Sequence, residues 1–407
     1  MIGAIIGQVP RRAGIPLRVG LCERNPFCLP DMKIVYSLTY YRPHISGLTN
    51  GLYPIAEHMA RRGHEVTVIC ARHDPALPLE EMLNGVRVVR VPVAFFVGKG
   101  PVMTGYAATC FRLMRGADLV HIVAPQADAG LAALAARLRG APVVMSYVCS
   151  FGASGLKGWA ATQIARLSHL LAGVLSHRIV ALSEDYASQS RFCALFRRKL
   201  AFIPVPLPCY PEETAAHRTT SPVLRIGFVG RLSPEKSLDL LLDAIPHLEA
   251  RLDRPFRIEI VGPEEPRGTP GRNRLRTRLR AEVAKGRVIC RGRLDEAELD
   301  QFYSGIDALV LPSNSRLEAY GMVQVEAMLR GTPCVASDRP GMRLPIREAG
   351  FGRLFAPGDA AALAEALEMV LCYDPRPTAG DIARVRAHFA PQRIFAAHES
   401  LISHLTE

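Results

Sequence analysis

The chain has 407 residues, enough for two ordinary domains with sizeable cores. Hydrophobic residues make up 49% and charged residues 22%, a globular balance, and no apolar run reaches the roughly 18–20 residues of a membrane-spanning helix. The net charge of +12 favours anionic partners (phosphates, acidic lipid) or a solvated basic surface, and no aromatic-interleaved basic segment or helix-turn-helix signature points to nucleic acid. The ten cysteines are scattered without a C-x-x-C pair, so they read as reduced thiols of a cytosolic protein, neither a zinc site nor a disulfide framework.

Residues 1–31 carry Pro10, Pro16, Pro26 and Pro30 and no periodicity. Their apolar start is short and is followed by arginines, unlike a signal peptide. A disordered extension or a misassigned start is expected there, with the folded part opening at Met32. From there short β-branched runs alternate with amphipathic segments. Strands are expected at 33–38, 65–71, 87–93, 119–124, 142–148 and 178–183, with helices such as 48–62 and 128–139 between them. Such alternation implies βαβ units and a mainly parallel sheet covered on both faces. Pro54 is expected to kink the first helix. The segment 157–178 is amphipathic and basic and holds the only tryptophan, Trp159. It fits either an interfacial helix at an anionic membrane or a core-packed helix with a solvated basic face.

A proline-rich polar stretch, 208–221, reads as a linker. A second alternating series follows, with strands expected at 224–230, 257–262, 287–292, 308–313, 333–337 and 352–357. The fold class is therefore α/β, with two doubly wound, Rossmann-like domains near 32–207 and 222–385 and a terminal helical segment, 386–407. Ligands of open α/β sheets sit beyond the carboxyl ends of the strands, so the cleft between the domains is the expected site.

The second domain opens "GFVGRLSPEKSLDLLLDAI". A strand ends at Gly230 and a helix is expected near Ser237, a geometry that aims backbone N–H groups at an anion. Arg231 and Lys236 add two cations in the same loop, suited to a diphosphate, or merely solvated charges on a tight turn. Further on, "ALVLPS" is a buried strand and "EAYGMVQVE" follows it. Glu318 falls in the loop beyond the strand and Glu326 two turns into a helix. Half-buried acids need donors, and sugar hydroxyls are donors. The amides of Tyr320, Gly321 and Met322 can meet phosphate or sugar oxygens. Two acids for hydroxyls and two cations for a diphosphate describe a nucleotide-sugar pocket. The Arg/Lys pair makes a phosphate leaving group a better reading of these acids than the acid/base pair of a glycoside hydrolase.

G-R-L-x-x-x-K followed by E-x-Y-G-x-x-x-x-E resembles the family 4 retaining glycosyltransferases, which have the GT-B fold. The resemblance spans about 32–400 and includes "RRGHEVTVICA", "YSGIDALVLPS" and "GTPCVASDRPGMRLPI". It implies a metal-independent hexosyltransferase without a cofactor, taking a nucleoside-diphosphate sugar as donor and a glycan or lipid-linked hydroxyl as acceptor. No D-x-D segment is present, in keeping with this. It further implies that Arg231 and Lys236 contact the diphosphate, Glu318 the transferred sugar near its C3 hydroxyl, and Glu326 the ribose. Gly230, Gly321 and neighbours would give backbone contacts, the segment around Gly292 would lie by the base, and Gly47 would let backbone approach the phosphates. The C-terminal helix would cross back to the first domain. Peripheral contact with the inner face of an anionic membrane is a separate expectation, tied to a lipid-linked acceptor.

The first domain departs from the family's pattern. Where relatives have "D-h-h-H-h-H", His121 fills the first position and Val123 the second. Val148 stands where "T-Y-H" is common, Gly47 stands alone where a Gly-Gly pair is common, and "IPVPLP" replaces "I-P-N-G". His121 reads either as a site residue or as a paired core histidine. Two alternatives to transfer stay open: a nucleotide-sugar-binding protein with little activity, and a GT-B nucleotide-sugar epimerase. A dinucleotide enzyme is not supported, because neither first strand is followed by G-x-G-x-x-G.

Overall fold

The computed structural model describes residues 31–407, apart from 45–46, 98–99, 150–154, 208–220, 265–270, 316, 350 and 407. The expectations for the first thirty residues and for almost all of the linker lie outside the described residues.

The first sheet comprises β1 (Lys33–Ser37), β2 (Glu65–Arg72), β3 (Glu80–Leu83), β4 (Val86–Val97), β5 (Gly100–Met103), β6 (Leu119–Ala124), β7 (Val143–Tyr147), β8 (Arg178–Ala181) and β9 (Leu200–Phe202). Its order is β3-β4-β2-β1-β6-β7-β8-β9, with β5 paired to β4. Only β3 and β5 run antiparallel to their neighbour. The second sheet comprises β10 (Leu224–Val229), β11 (Phe256–Val261), β12 (Val288–Gly292), β13 (Ala308–Leu311), β14 (Cys334–Ser337) and β15 (Arg353–Phe355), in the order β12-β11-β10-β13-β14-β15 and parallel throughout. The twelve strands expected from β-branched runs are all present. Central strands such as β6, β13 and β14 are buried at every residue, as parallel strands covered on both faces must be.

Strand order reverses at two places, between β1 and β6 in the first sheet and between β10 and β13 in the second. Loops leaving the carboxyl ends of such a pair diverge and open a crevice. Gly262, just past β11, shows how tightly the second crevice is floored. Its φ is +141°, and a Cβ there would fall 2.0 Å from the Gly230 carbonyl oxygen.

Each sheet has its own core, and a third cluster lies between them, formed by Leu182, Tyr186 and Leu207 with Leu309, Val325 and Met342. An ion pair also ties the domains. Arg343 holds Asp185 through Nη2 at 2.6 Å and Nε at 2.9 Å, and the Gly341 N–H donates to the same carboxylate at 2.8 Å. Burial pushes the Asp185 carboxyl up, but Arg343 and Gly341 outweigh it and hold it below the usual range.

The first helix, Gly47–Arg61, runs on through Pro54. The helix Ala379–His388 crosses the boundary expected at 385/386, and the terminal helix is Pro391–Thr406. That last helix lies on the first domain. Glu399 Oε1 meets His58 Nε2 at 2.8 Å and Arg62 Nε at 3.2 Å, and the Phe395 ring stacks on His58 at 4.2 Å.

Candidate donor site

The two loops flanking the second switch point carry the residues that sequence reasoning singled out. Beyond β10, Gly230 donates its N–H to the Val261 carbonyl, which turns the chain out of the sheet. Residues Pro234–Lys236 make one 3-10 turn, Ser237 adopts φ 50°, and the helix proper begins at Leu238. Beyond β13, the loop from 312 to 320 returns along the same crevice. The loops are joined twice: Asn314 N–H donates to Ser237 Oγ at 3.0 Å, and Lys236 Nζ pairs with Glu318 Oε2. Lys236 and Glu318 are 82 residues apart in sequence and both are mostly shielded from water. Arg231 is exposed in the same loop and reaches Glu235 at 3.2 Å.

Gly321 opens the next helix, Met322–Met328, from φ +74°. A Cβ there would fall 2.5 Å from Gln324 Nε2 and 2.6 Å from Leu311 Cδ2, so glycine is required on both counts. Tyr320 is buried and Met322 half-buried beside it. Glu326, one turn on, accepts a hydrogen bond from the Tyr303 hydroxyl at 2.6 Å. Desolvation pushes the Glu326 carboxyl above its ordinary range, against the Tyr303 hydroxyl and the Arg330 guanidinium, which pull it down. Arg330 is itself buried; its Nε meets Asp300 at 2.6 Å and its Nη1 donates to the Glu326 carbonyl at 2.8 Å. This arrangement fixes the helix turn on which Glu326 sits.

Gly292, the last residue of β12, has φ +69° with open space on its Cβ side, and its carbonyl accepts the Gly262 N–H at 2.7 Å. Arg291 is engaged below it: Glu259, 2% exposed on β11, takes Arg291 Nε at 2.5 Å and Arg225 Nε at 2.7 Å. Burial raises the Glu259 carboxyl, and the two guanidiniums overcome it, so the group is held low. Gly47 is the first residue of the helix Gly47–Arg61 of the first domain, and 45–46 before it lie outside the described residues.

On the first domain, His121 is a paired core histidine. It is 1% exposed, its Nε2 lies 2.8 Å from Ser146 Oγ, and burial, aided by nearby His398, pushes it down to about 3. Val123 is buried in the same strand, and Val148 packs into the cluster shared by the domains. Sequence reasoning missed other residues here. His44 and His73 follow β1 and β2, and their rings meet at 5.2 Å with Tyr40 stacked on His44 at 4.3 Å. Burial lowers both imidazoles; His44 also feels His73 and, across the cleft, Arg231 and Arg293. Cys149, beyond β7, has Glu318 as its electrostatic neighbour. Tyr303, Glu259 and Asp185 were missed as partners too, although Tyr303 stands in the "YSGIDALVLPS" run and Asp185 in "SEDYASQS".

Chemically, the crevice offers two cations in one loop, a carboxylate shared with one of them, and a second carboxylate oriented by a phenol. Residues 46–206 match the "Glycosyl transferase 4-like domain" model and residues 211–378 the "Glycosyl transferases group 1" model. A GDP-mannose-dependent alpha-mannosyltransferase of Mycolicibacterium smegmatis is 30% identical over 77% of this chain and 81% of its own length. A phosphatidyl-myo-inositol mannosyltransferase of Mycobacterium leprae is 27% identical over 81% of this chain and 84% of its length. In fold, the chain is similar to a sucrose-phosphate synthase of Thermosynechococcus elongatus (TM-score 0.69, 20% identity, 92% of this chain and 99% of that one). It is likewise similar to HepE of Anabaena (TM-score 0.69, 19% identity, 92% of this chain and 100% of that one). The chain belongs to the family 4 glycosyltransferases of GT-B fold.

Proposed function

We propose that this glycosyltransferase moves a hexosyl group from a nucleoside-diphosphate sugar to a hydroxyl of a lipid-linked or glycan acceptor, with retention and without a metal ion. The observation that carries the reading is the pairing of Lys236 with Glu318 across the second switch point. A bound diphosphate takes the ammonium, and a sugar hydroxyl takes the carboxylate. Arg231 joins Lys236 on the diphosphate, Glu326 accepts from the ribose hydroxyls, and the amides at Gly230, Gly321 and Met322 meet phosphate or sugar oxygens. Gly292 lies by the base, Tyr320 walls the sugar, and Gly47 lets backbone approach the phosphates.

The step follows from these charges. The bond from the anomeric carbon to the diphosphate oxygen lengthens toward an oxocarbenium-like state. Arg231 and Lys236 stabilise the negative charge as it gathers on the leaving group. The acceptor hydroxyl attacks from the same face, and its proton passes to the departing phosphate oxygen.

GDP-mannose is the first donor to try, because two relatives, 30% and 29% identical, are named for it. A lipid-linked acceptor is supported by the name of the Mycobacterium leprae relative. A thermal-shift screen of sugar nucleotides tests the donor, since a ligand of the folded state raises apparent stability. Glu326→Ala erases the shift if the assignment is right; a shift that survives it sinks the donor-site reading. Transfer in the presence of a chelator, with the product anomer read by NMR, tests metal independence and retention.

A second reading is binding without transfer. The specific observation behind it is that His121 is consumed by Ser146 while Val123 and Val148 are apolar. Donor binding without turnover over a broad acceptor panel would favour it.

A further inference from the structure

Two helices of the first domain, Ala129–Leu138 and Gly155–Leu175, touch at Gly130. Its N–H donates to Ser168 Oγ at 2.8 Å, and a Cβ there would lie 2.9 Å from the Ser168 carbonyl oxygen. The inward faces are lined by alanines, among them Ala132, Ala136, Ala165 and Ala172, all buried. Several large apolar side chains point the other way, although Leu171 also reaches the contact at Gly130. On the longer helix Ile164, Leu167, Leu171 and Val174 recur every three or four residues and are exposed, Leu167 at 68%. On the shorter helix Leu131, Leu134 and Leu138 do the same, Leu138 at 67%. Trp159 is exposed near the start of the longer helix. Single exposed leucines are ordinary, but two adjacent stripes on packed helices are not.

The charge around them is one-sided. Neither helix contains an acid: the shorter carries Arg137 and the longer Lys157 and Arg166, with Asp128 at the N-cap of the shorter one. Arg137 and Arg166 are exposed on the same two helices as the leucines.

We propose that the outward faces of these two helices form a docking surface for an anionic bilayer, with the leucines at the acyl boundary and the arginines on lipid phosphates. A second copy of the chain fits the surface less well. A two-fold contact would set the arginines of these helices against one another with no acid on either helix to pair them, whereas anionic lipid supplies the counter-charge. Docking does not depend on the donor-site reading, since a chain that bound no sugar nucleotide would still show it.

The test is co-sedimentation of the full chain with vesicles of phosphatidylcholine alone or with about 30 mol % phosphatidylglycerol. Binding is expected only to the anionic vesicles, and to fall steeply in about 0.5 M salt. Arg137→Gln with Arg166→Gln should weaken it roughly tenfold or more. Leu167→Glu should weaken it to a similar degree while leaving the sugar-nucleotide thermal shift intact, because these exposed side chains support no core. Absence of binding to both vesicle types, or binding that ignores Leu167→Glu, overturns the proposal. So does a concentration-dependent dimer in analytical ultracentrifugation that Leu167→Glu dissolves, which would assign the face to a second copy.

Discussion

Replacing Tyr303 by phenylalanine removes one oxygen and leaves the fully buried ring in place. That oxygen donates to Glu326 Oε2 at 2.6 Å, and the Tyr303 carbonyl is separately tied to Thr332 Oγ1 at 2.6 Å, so the backbone should not move. A hydrogen bond to a charged group contributes about 1.5–3 kcal/mol, and a half-buried carboxylate replaces it only in part with water. Desolvation already holds the Glu326 carboxyl above its ordinary range, and the phenol is the larger of the two effects pulling it down. The signs follow. A carboxyl raised in the fold costs stability as pH rises through its unfolded value, and Tyr303→Phe deepens that cost at neutral pH. The ribose contact proposed for Glu326 uses the ionised form, so donor affinity should fall as pH drops toward the raised value. In the variant that acid limb moves to higher pH, and Kd at neutral pH weakens by roughly tenfold, or about 1.4 kcal/mol. Calorimetric titration of the best sugar nucleotide across the acid range reads both effects. A variant that binds as tightly as wild type with the same acid limb refutes the reasoning. A uniform loss with an unmoved limb reduces Tyr303 to packing.

Lys236→Met keeps the length of the side chain and removes the ammonium; kcat should fall by about a hundredfold or more at saturating donor, and an unchanged kcat would take Lys236 out of the leaving-group chemistry. Asp185→Asn should destabilise the chain by about 1–2 kcal/mol at neutral pH by loosening its hold on Arg343. Its carboxyl is held below the ordinary 3.8, so this contribution is present above that value and is lost as pH falls through the depressed one. Denaturant midpoints of wild type and variant should therefore converge in acid, and curves that stay parallel would show that the ion pair carries no linkage.

The strands legible in the sequence were those whose runs are apolar on both faces, which only central parallel strands require. The three that were missed are edge or hairpin pieces. β3 begins with Glu80 and Glu81, β5 contains Pro101, and β9 has three residues. Charge, proline and shortness are how edges avoid pairing with other chains, and they also remove the pattern that marks a strand. The same distinction runs through the site. The loop positions of Arg231, Lys236 and Glu318 were legible because chain order alone places a loop after a buried strand. Tyr303, Glu259 and Asp185 were not, because their partners stand 23, 32 and 158 residues away and only packing brings them together.

The acids around the donor crevice differ by what holds them, and this sorts their work. Glu259 and Asp185 are pinned low by guanidiniums, so both stay charged in neutral solution and serve to fix Arg291 and Arg343. Glu326 is the exception: burial wins, and a phenol rather than a cation is its side-chain hydrogen-bond partner. Glu259 and Asp185, held by guanidiniums, have little reason to seek a sugar hydroxyl. A carboxylate that is desolvated and held by a phenol alone among its side-chain hydrogen bonds gains from a hydroxyl it meets. The histidines of the first domain sort in the same way. His121 has spent its nitrogen on Ser146, whereas His44 and His73 each keep a buried Nδ1 without a hydrogen bond among the described residues. The valines at 123 and 148 therefore do not leave the first domain's cleft face without imidazole. It stands instead beyond the carboxyl ends of β1 and β2, where His44 feels Arg231.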